Sequence, residues 1–229
     1  MMRTLRLALW AALAAAALPA QETGRPEFAP VKDVPGLPRV LILGDSISIG
    51  YTLPLREALR GVANVHRPAE NCESTVEGLA KLDRWLGSGV WDVIHFNWGL
   101  HDLKYVDERG NRVAPETGRV KVPIEEYGRN LEMLVLRLKK SGAKLIWRPT
   151  TPVPPGAFGR IAGHEERYNA VAAEIMTRHG IVIDDLNALI RAERIPHVKP
   201  DDVHFDAAGS ARLGRRCAAA IARALQRGR

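Results

Sequence analysis

The chain has 229 residues, of which 46% are hydrophobic and 26% charged, a composition that excludes a disordered chain, a collagen, a disulfide scaffold and a coiled coil. The length suits one large domain or two small ones, and two cysteines are too few to staple a fold of this size, so an apolar core must hold it. Lys and Arg number 33 against 26 Asp and Glu, a formal charge of +7 that is spread along the chain and does not interleave with aromatics, which argues against nucleic acid as a partner.

The first twenty residues read as a leader. Arg3 and Arg6 precede an apolar run from Leu7 to Leu18, and Ala15, Ala17 and Ala20 are small residues suited to cleavage. That order is expected of a secretory signal peptide, and the run is short for a membrane span, although an uncleaved anchor is the rival reading. Cleavage near Ala20 removes Arg3 and Arg6 from the +7 total, leaving a mature chain of +5 that is secreted or periplasmic. Export permits a disulfide. Cys72 in a loop and Cys217 in a helical pattern are nevertheless expected as separate thiols.

Residues 21–38, rich in Pro, Gly and charge, read as a linker or lead-in to a domain over 39–229. Val40-Leu41-Ile42-Leu43 is a continuous apolar run ending at Gly44, the signature of a buried parallel strand. A short helix over 54–60 and a strand over 62–66 follow. A helix over 76–86 is expected to turn Val76, Leu79, Leu82 and Leu86 to one face. Trp91 to Phe96 is the third strand, and Ile124, Tyr127, Leu131, Leu134, Val135 and Leu138 mark a helix over 124–140. A strand over 143–147, a helix around 168–176 and a strand over 181–183 come next. Leu213, Cys217, Ile221 and Leu225 stripe a closing helix, whose Arg212, Arg215, Arg216, Arg223 and Arg227 form a solvated face. This alternation predicts an α/β fold: a three-layer α/β/α sandwich on a five-stranded parallel sheet. Ligands in such sheets bind beyond the carboxyl ends of the strands.

The strand-exit loops carry the chemistry. Gly44-Asp45-Ser46 follows the first strand, so Ser46 is either a nucleophile facing the cleft or a helix cap. Asn97-Trp98-Gly99-Leu100-His101-Asp102 follows the third, where Asn97 or His101 could donate to a developing oxyanion, or the polar residues could brace the loop. Asp201-Asp202-Val203-His204 precedes the last helix. There Asp201, three residues ahead of His204, could fold back to the ring Nδ1–H and leave Nε2 as a base.

On these blocks the chain resembles an SGNH (GDSL-type) hydrolase, a flavodoxin-like α/β family. The resemblance runs over residues 39–225 and implies Ser46 as nucleophile, with its own N–H in the oxyanion hole, and Asp201 and His204 as the rest of a catalytic triad. Two positions depart from the family pattern. His101 stands where Gly-x-Asn-Asp has asparagine, and the Gly-Leu-His-Asp form resembles that of a subgroup. The family's second-block glycine falls in Glu70 to Thr75, which places the backbone donor at Glu73, with Asn71 beside it. If that position needs positive φ, Glu is disfavoured there relative to Gly.

The implied activity is hydrolysis of a carboxylic ester through an acyl-enzyme, without cofactor or metal. A short-chain, O-acetyl ester on a carbohydrate is favoured, because no broad apolar stretch suggests an acyl-chain groove. Asp45, Asn71, Trp98 and Arg160 are candidate substrate contacts, Trp98 either stacking on a sugar or packing inside. His164 could face the site from the same loop as Arg160, and the long polar connection over 103–122 could form a lid. The competing readings are a non-catalytic SGNH-like domain binding carbohydrate or envelope sugar, and a flavodoxin-like nucleotide binder, which lacks a G-x-G-x-x-G turn.

Overall fold

The computed structural model describes residues 24–226, so the expected signal peptide lies outside the described residues. Strands β1 (Arg39–Leu43), β2 (Asn64–His66), β3 (Val93–Phe96), β6 (Lys144–Trp147) and β7 (Val182–Ile183) form a parallel sheet in the order β2-β1-β3-β6-β7. Helix α1 (Ser46–Ala58) carries the chain one way, from β1 to β2. Helices α2 (Thr75–Leu86), α3 (Ile124–Lys139) and α4 (His164–His179) carry it the other way. Right-handed crossovers therefore put α1 on one face and the other three on the opposite face. The closing helix α6 (Ala207–Gln226) returns to α1, with Gly214 so close that a Cβ would sit 2.9 Å from Pro54 and 3.0 Å from the Leu55 nitrogen. This is the expected α/β/α sandwich.

The register matters most for function. Leu43 pairs with Phe96, Phe96 with Trp147, and Trp147 with Ile183. Four strands thus end flush, and the loops at Gly44, Asn97, Arg148 and Asp184 open at one edge. The strand residues Val40, Ile42, Val93, Ile94 and Phe96 are wholly buried, as layers on both faces require.

Several local expectations need correction. Helix α1 begins at Ser46, not near residue 54, because the Asp45 carboxylate accepts the Ile47 N–H at 3.1 Å and caps it directly after the strand turn. On α2 the buried face is Thr75, Gly78, Leu82 and Trp85, whereas Val76 is exposed. The connection over 103–122 contains a small hairpin of β4 (Tyr105–Val106) and β5 (Arg119–Val120), and α5 (Leu186–Glu193) was not anticipated. Residues 24–38 lie along the β2 edge, where Arg56 donates to the Pro26 and Ala29 carbonyls and Asn64 bonds Val34 and Leu37. Cys72 and Cys217 are buried, free thiols.

Candidate active site

Ser46 is the first residue of α1, half-buried at the sheet edge, and its N–H makes no hydrogen bond among the described residues. Its Oγ lies 2.8 Å from His204 Nε2. The two residues are 158 positions apart, and the fold brings them together because β1 and the loop before α6 both end at this edge. His204 Nδ1 in turn lies 2.6 Å from a carboxylate oxygen, and that carboxylate belongs to Asp202.

The expected partner, Asp201, is not the one the structure supplies. Val198 N–H donates to the His204 carbonyl and Asp202 N–H to the Lys199 carbonyl, so residues 198–204 form a tight loop with Asp201 exposed on it. Asp202 Oδ1 then accepts the His204 N–H at 2.9 Å, which locks its carboxylate beside the ring. Partial burial would raise the Asp202 pKa, but the His204 N–H and ring outweigh it and hold the carboxyl below its ordinary range. An ionised carboxylate on Nδ1 selects the tautomer with its proton there, leaving Nε2 to accept from Ser46.

Three other expected site residues are turned inward. Asp45 is buried, capping α1 and lying 3.4 Å from the Arg148 guanidinium. The Asn97 amide is fully engaged: one Nδ2–H donates to the Arg148 carbonyl at 2.6 Å, the other is taken at longer range by the Thr150 hydroxyl and the Trp98 carbonyl at 3.4 and 3.5 Å, and Oδ1 accepts from Arg148 at 2.7 Å. It has no donor left for an oxyanion. Trp98 is completely buried, its Nε1–H on the Cys72 carbonyl and its ring against Gly78, so it cannot stack on a ligand. Residues at strand ends alternate in direction, and a sheet covered on both faces buries whichever way they point.

The second block has the positive φ that would disfavour Glu there. Glu73 has φ of 48°, in the left-handed region that disfavours any residue with a Cβ. Its N–H, however, already donates to Asn71 Oδ1 at 2.9 Å, so in this structure it is not a free oxyanion donor, and Asn71 points at its own loop and not at a ligand. The Glu73 carboxylate is drawn off by Lys121 at 3.6 Å. Asp102 ties the second and third blocks together, its Oδ1 accepting both the N–H and the hydroxyl of Thr75 at the start of α2. Burial pushes the Asp102 carboxyl up to about 7 against those bonds, and its Oδ2 has no partner among the described residues.

His101 is the remaining donor in this region. Burial lowers its pKa to about 4, against the Asp45 charge, which raises it, so the ring is neutral at neutral pH and carries one N–H. Its buried Nδ1 has no hydrogen-bond partner among the described residues. Gly99 before it is obligatory: with φ of 153°, a Cβ there would fall 2.1 Å from Thr150 Oγ1. Arg160, from the loop after β6, gives its Nε–H to the Leu100 carbonyl at 3.1 Å and so stands beside this block as expected. His164 begins α4.

Two other features fall outside this constellation. His95, Asp184 and Cys217 are buried with ligand-type atoms within 4.8 Å, the one such grouping among the described residues. Arg216 already pairs with Asp184 at 2.7 Å and burial holds the Cys217 thiol protonated, so this is a buried polar network and a poor fit to a cation. An open groove of about 700 Å³ between α3 and α4, lined by Ile124, Gly128, Met133, Val171 and Ile175, includes none of the site residues.

At the sheet edge a half-buried serine, a histidine and a carboxylate thus stand in line. The family model for GDSL-like lipase/acylhydrolases matches residues 42–212, and the chain belongs to that family, whose members are generally esterases or lipases. Solved structures agree in fold. A lipase/acylhydrolase from Enterococcus faecalis superposes with a TM-score of 0.67 at 17% identity, over 81% of this chain and 96% of that one. An acetyl xylan esterase gives 0.64 at 14% identity over 80% and 99%. An acetylxylan esterase from Geobacillus stearothermophilus, solved as a catalytic mutant, gives 0.64 at 15% identity over 80% and 94%. Among curated proteins, none matches the sequence at a significant level.

Proposed function

We propose that the protein is an exported serine esterase that removes short acyl groups, O-acetyl in the first instance, from a carbohydrate. The observation that carries this reading is the Ser46 Oγ–His204 Nε2–Asp202 alignment, with contacts of 2.8 and 2.6 Å. His204 takes the Ser46 proton as Oγ attacks the ester carbonyl. Asp202 stabilises the imidazolium, and the proton then passes to the departing alcohol. Water, activated by the same histidine, hydrolyses the acyl-enzyme and restores Ser46.

The oxyanion is met by the Ser46 N–H at the start of α1 and by the neutral His101 ring, which donates without adding a charge that must be balanced. The Glu73 N–H becomes a third donor once Asn71 releases it. On this reading, Gly-Leu-His-Asp is a working variant of the hole, shared with a subgroup of the family. The preference for a small acyl group draws support from the polar, cationic loops beside His101, and from the acetylxylan esterases among the structural neighbours.

A fluorophosphonate probe tests the proposal. Stoichiometric labelling of Ser46, abolished in Ser46→Ala and in His204→Ala, is the expected result. Absence of labelling in the folded wild-type protein, with retained sugar binding, would replace it with the non-catalytic carbohydrate-binding reading.

A further inference from the structure

Beside the site stands a group of cations that form no ion pair with a carboxylate among the described residues. Arg160 is anchored by its Nε–H on Leu100, the residue before His101, while its terminal nitrogens make no hydrogen bond or ion pair among the described residues. Its neighbour Gly159 accepts the Tyr105 N–H at 2.8 Å and packs so tightly on Arg112 that a Cβ would fall 2.4 Å from that side chain's Cγ. Arg112 lies over the Phe158 ring at 5.4 Å, and Phe158 is 56% exposed. Lys104, three residues after His101, accepts the Lys121 N–H through its carbonyl at 2.7 Å. The loop after β6 and the β4–β5 hairpin are thus clamped together beside His101, and they bring Lys104, Arg112 and Arg160 with them.

Among the described residues no carboxylate forms an ion pair with these three. Glu77 and Glu73 are held by Lys121 at 2.7 and 3.6 Å, Asp45 by Arg148 and the start of α1, and Asp202 by His204. Asp201 is exposed near Gly156 and forms no ion pair among the described residues. The crowding is felt by the cations themselves. Burial and then Arg112 lower the Arg160 pKa to about 10 against a smaller upward pull from Asp45 and Asp202, while burial and then Lys121, with Arg160 adding less, lower that of Lys104 against Glu73 and Glu77. An anion lodged among them would relieve both the repulsion and the lost hydration, and a guanidinium with free terminal nitrogens matches a carboxylate in shape.

We propose that Lys104, Arg112 and Arg160 bind a negatively charged group on the substrate, so that the ester hydrolysed here is carried by an acidic saccharide, its carboxylate on the cations and its ring near the exposed face of Phe158. The inference rests on the esterase reading and adds the charge of the substrate to it.

The experiment compares kcat/KM of the protein on an acetylated polyuronate and on a neutral acetylated xylan of matched acetyl content, at about 20 mM and about 300 mM salt. The polyuronate is expected to be preferred by roughly tenfold or more at low salt, the preference shrinking several-fold at high salt as the charges are screened. Arg160→Gln and Lys104→Gln should each reduce the polyuronate-to-xylan ratio by roughly five- to tenfold; because this is a ratio within one variant, partial misfolding does not move it. Equal, salt-independent rates on the two substrates, or a preference unchanged in the Arg160→Gln, Lys104→Gln double variant, would overturn the proposal while leaving the esterase intact. No turnover of either substrate would remove the esterase reading and this inference with it.

Discussion

Removing the Asp202 carboxylate while keeping its shape is the most discriminating perturbation of the site. In Asp202→Asn the His204 Nδ1–H loses a charged acceptor at 2.6 Å, and the imidazolium formed during attack loses its counter-charge. Two unit charges about 4 Å apart interact by about 4 kcal/mol at an effective dielectric of about 20, and about 2 kcal/mol at about 40. The lower figure has weight because the histidine and aspartate side chains are 45% and 35% exposed, which lets solvent screen them. At about 1.4 kcal/mol per decade, the range corresponds to a loss of roughly 30- to 1000-fold in kcat. Asp201→Asn, which touches neither ring nor serine, should stay within about threefold of wild type. Steady-state hydrolysis of an aryl acetate measures both variants, with thermal melting to confirm folding, since Asp202 also accepts the His204 N–H. Collapse of Asp201→Asn alongside a nearly normal Asp202→Asn would refute the reasoning and return the role to the acid three residues before the histidine.

The same assay reaches the rest of the site. His101→Ala should lower kcat by roughly 10²–10³ with less change in KM, and His101→Asn should recover much of it; normal turnover in His101→Ala removes the ring from the oxyanion hole. Asn97→Ala should instead destabilise the fold by about 2–3 kcal/mol, because the buried Arg148 loses an acceptor, and unchanged melting would contradict that structural role. Asn71→Ala frees the Glu73 N–H and should maintain or raise kcat, whereas a severe loss would mean the Asn71 contact itself supports catalysis. Stability should carry two opposed pH slopes. His101, with a folded pKa of about 4 below its unfolded value, stabilises above about pH 6.5 and loses that contribution as pH falls towards 4. Asp102, at about 7 when folded, does the reverse, its contribution present below about pH 4 and lost as pH rises through 7. Asp102→Asn should therefore make the melting temperature fall more steeply on acidification between about pH 6.5 and 4 than in wild type, and a flatter profile would contradict the assignment.

The architecture and the three reactive loops were legible in the sequence because their signals are local. An apolar run broken by Gly44-Asp45-Ser46 reads as a buried strand ending in a turn, although the start of the next helix at Ser46 was not legible, and the sequence showed only that Glu73 would be disfavoured if its position needed positive φ. Helix α5 escaped notice because only Leu186 and Ile190 are buried in its eight residues, too few to set a period. The short hairpin escaped because two-residue strands carry no alternation.

What the tertiary structure alone decided is which polar atoms remain free to act. Asp201 and Asp202 are chemically identical neighbours, and nothing in their order says which faces His204; the closure of the loop from Val198 to His204 does. Asn97 and Trp98 look available at a strand end, yet Arg148 and Cys72, from other segments, have already taken their hydrogen bonds. Composition and spacing specify which side chains reach the sheet edge, because strand and helix periods are properties of a few consecutive residues. Hydrogen-bond satisfaction is settled between residues dozens of positions apart, so it becomes readable only once the chain has folded.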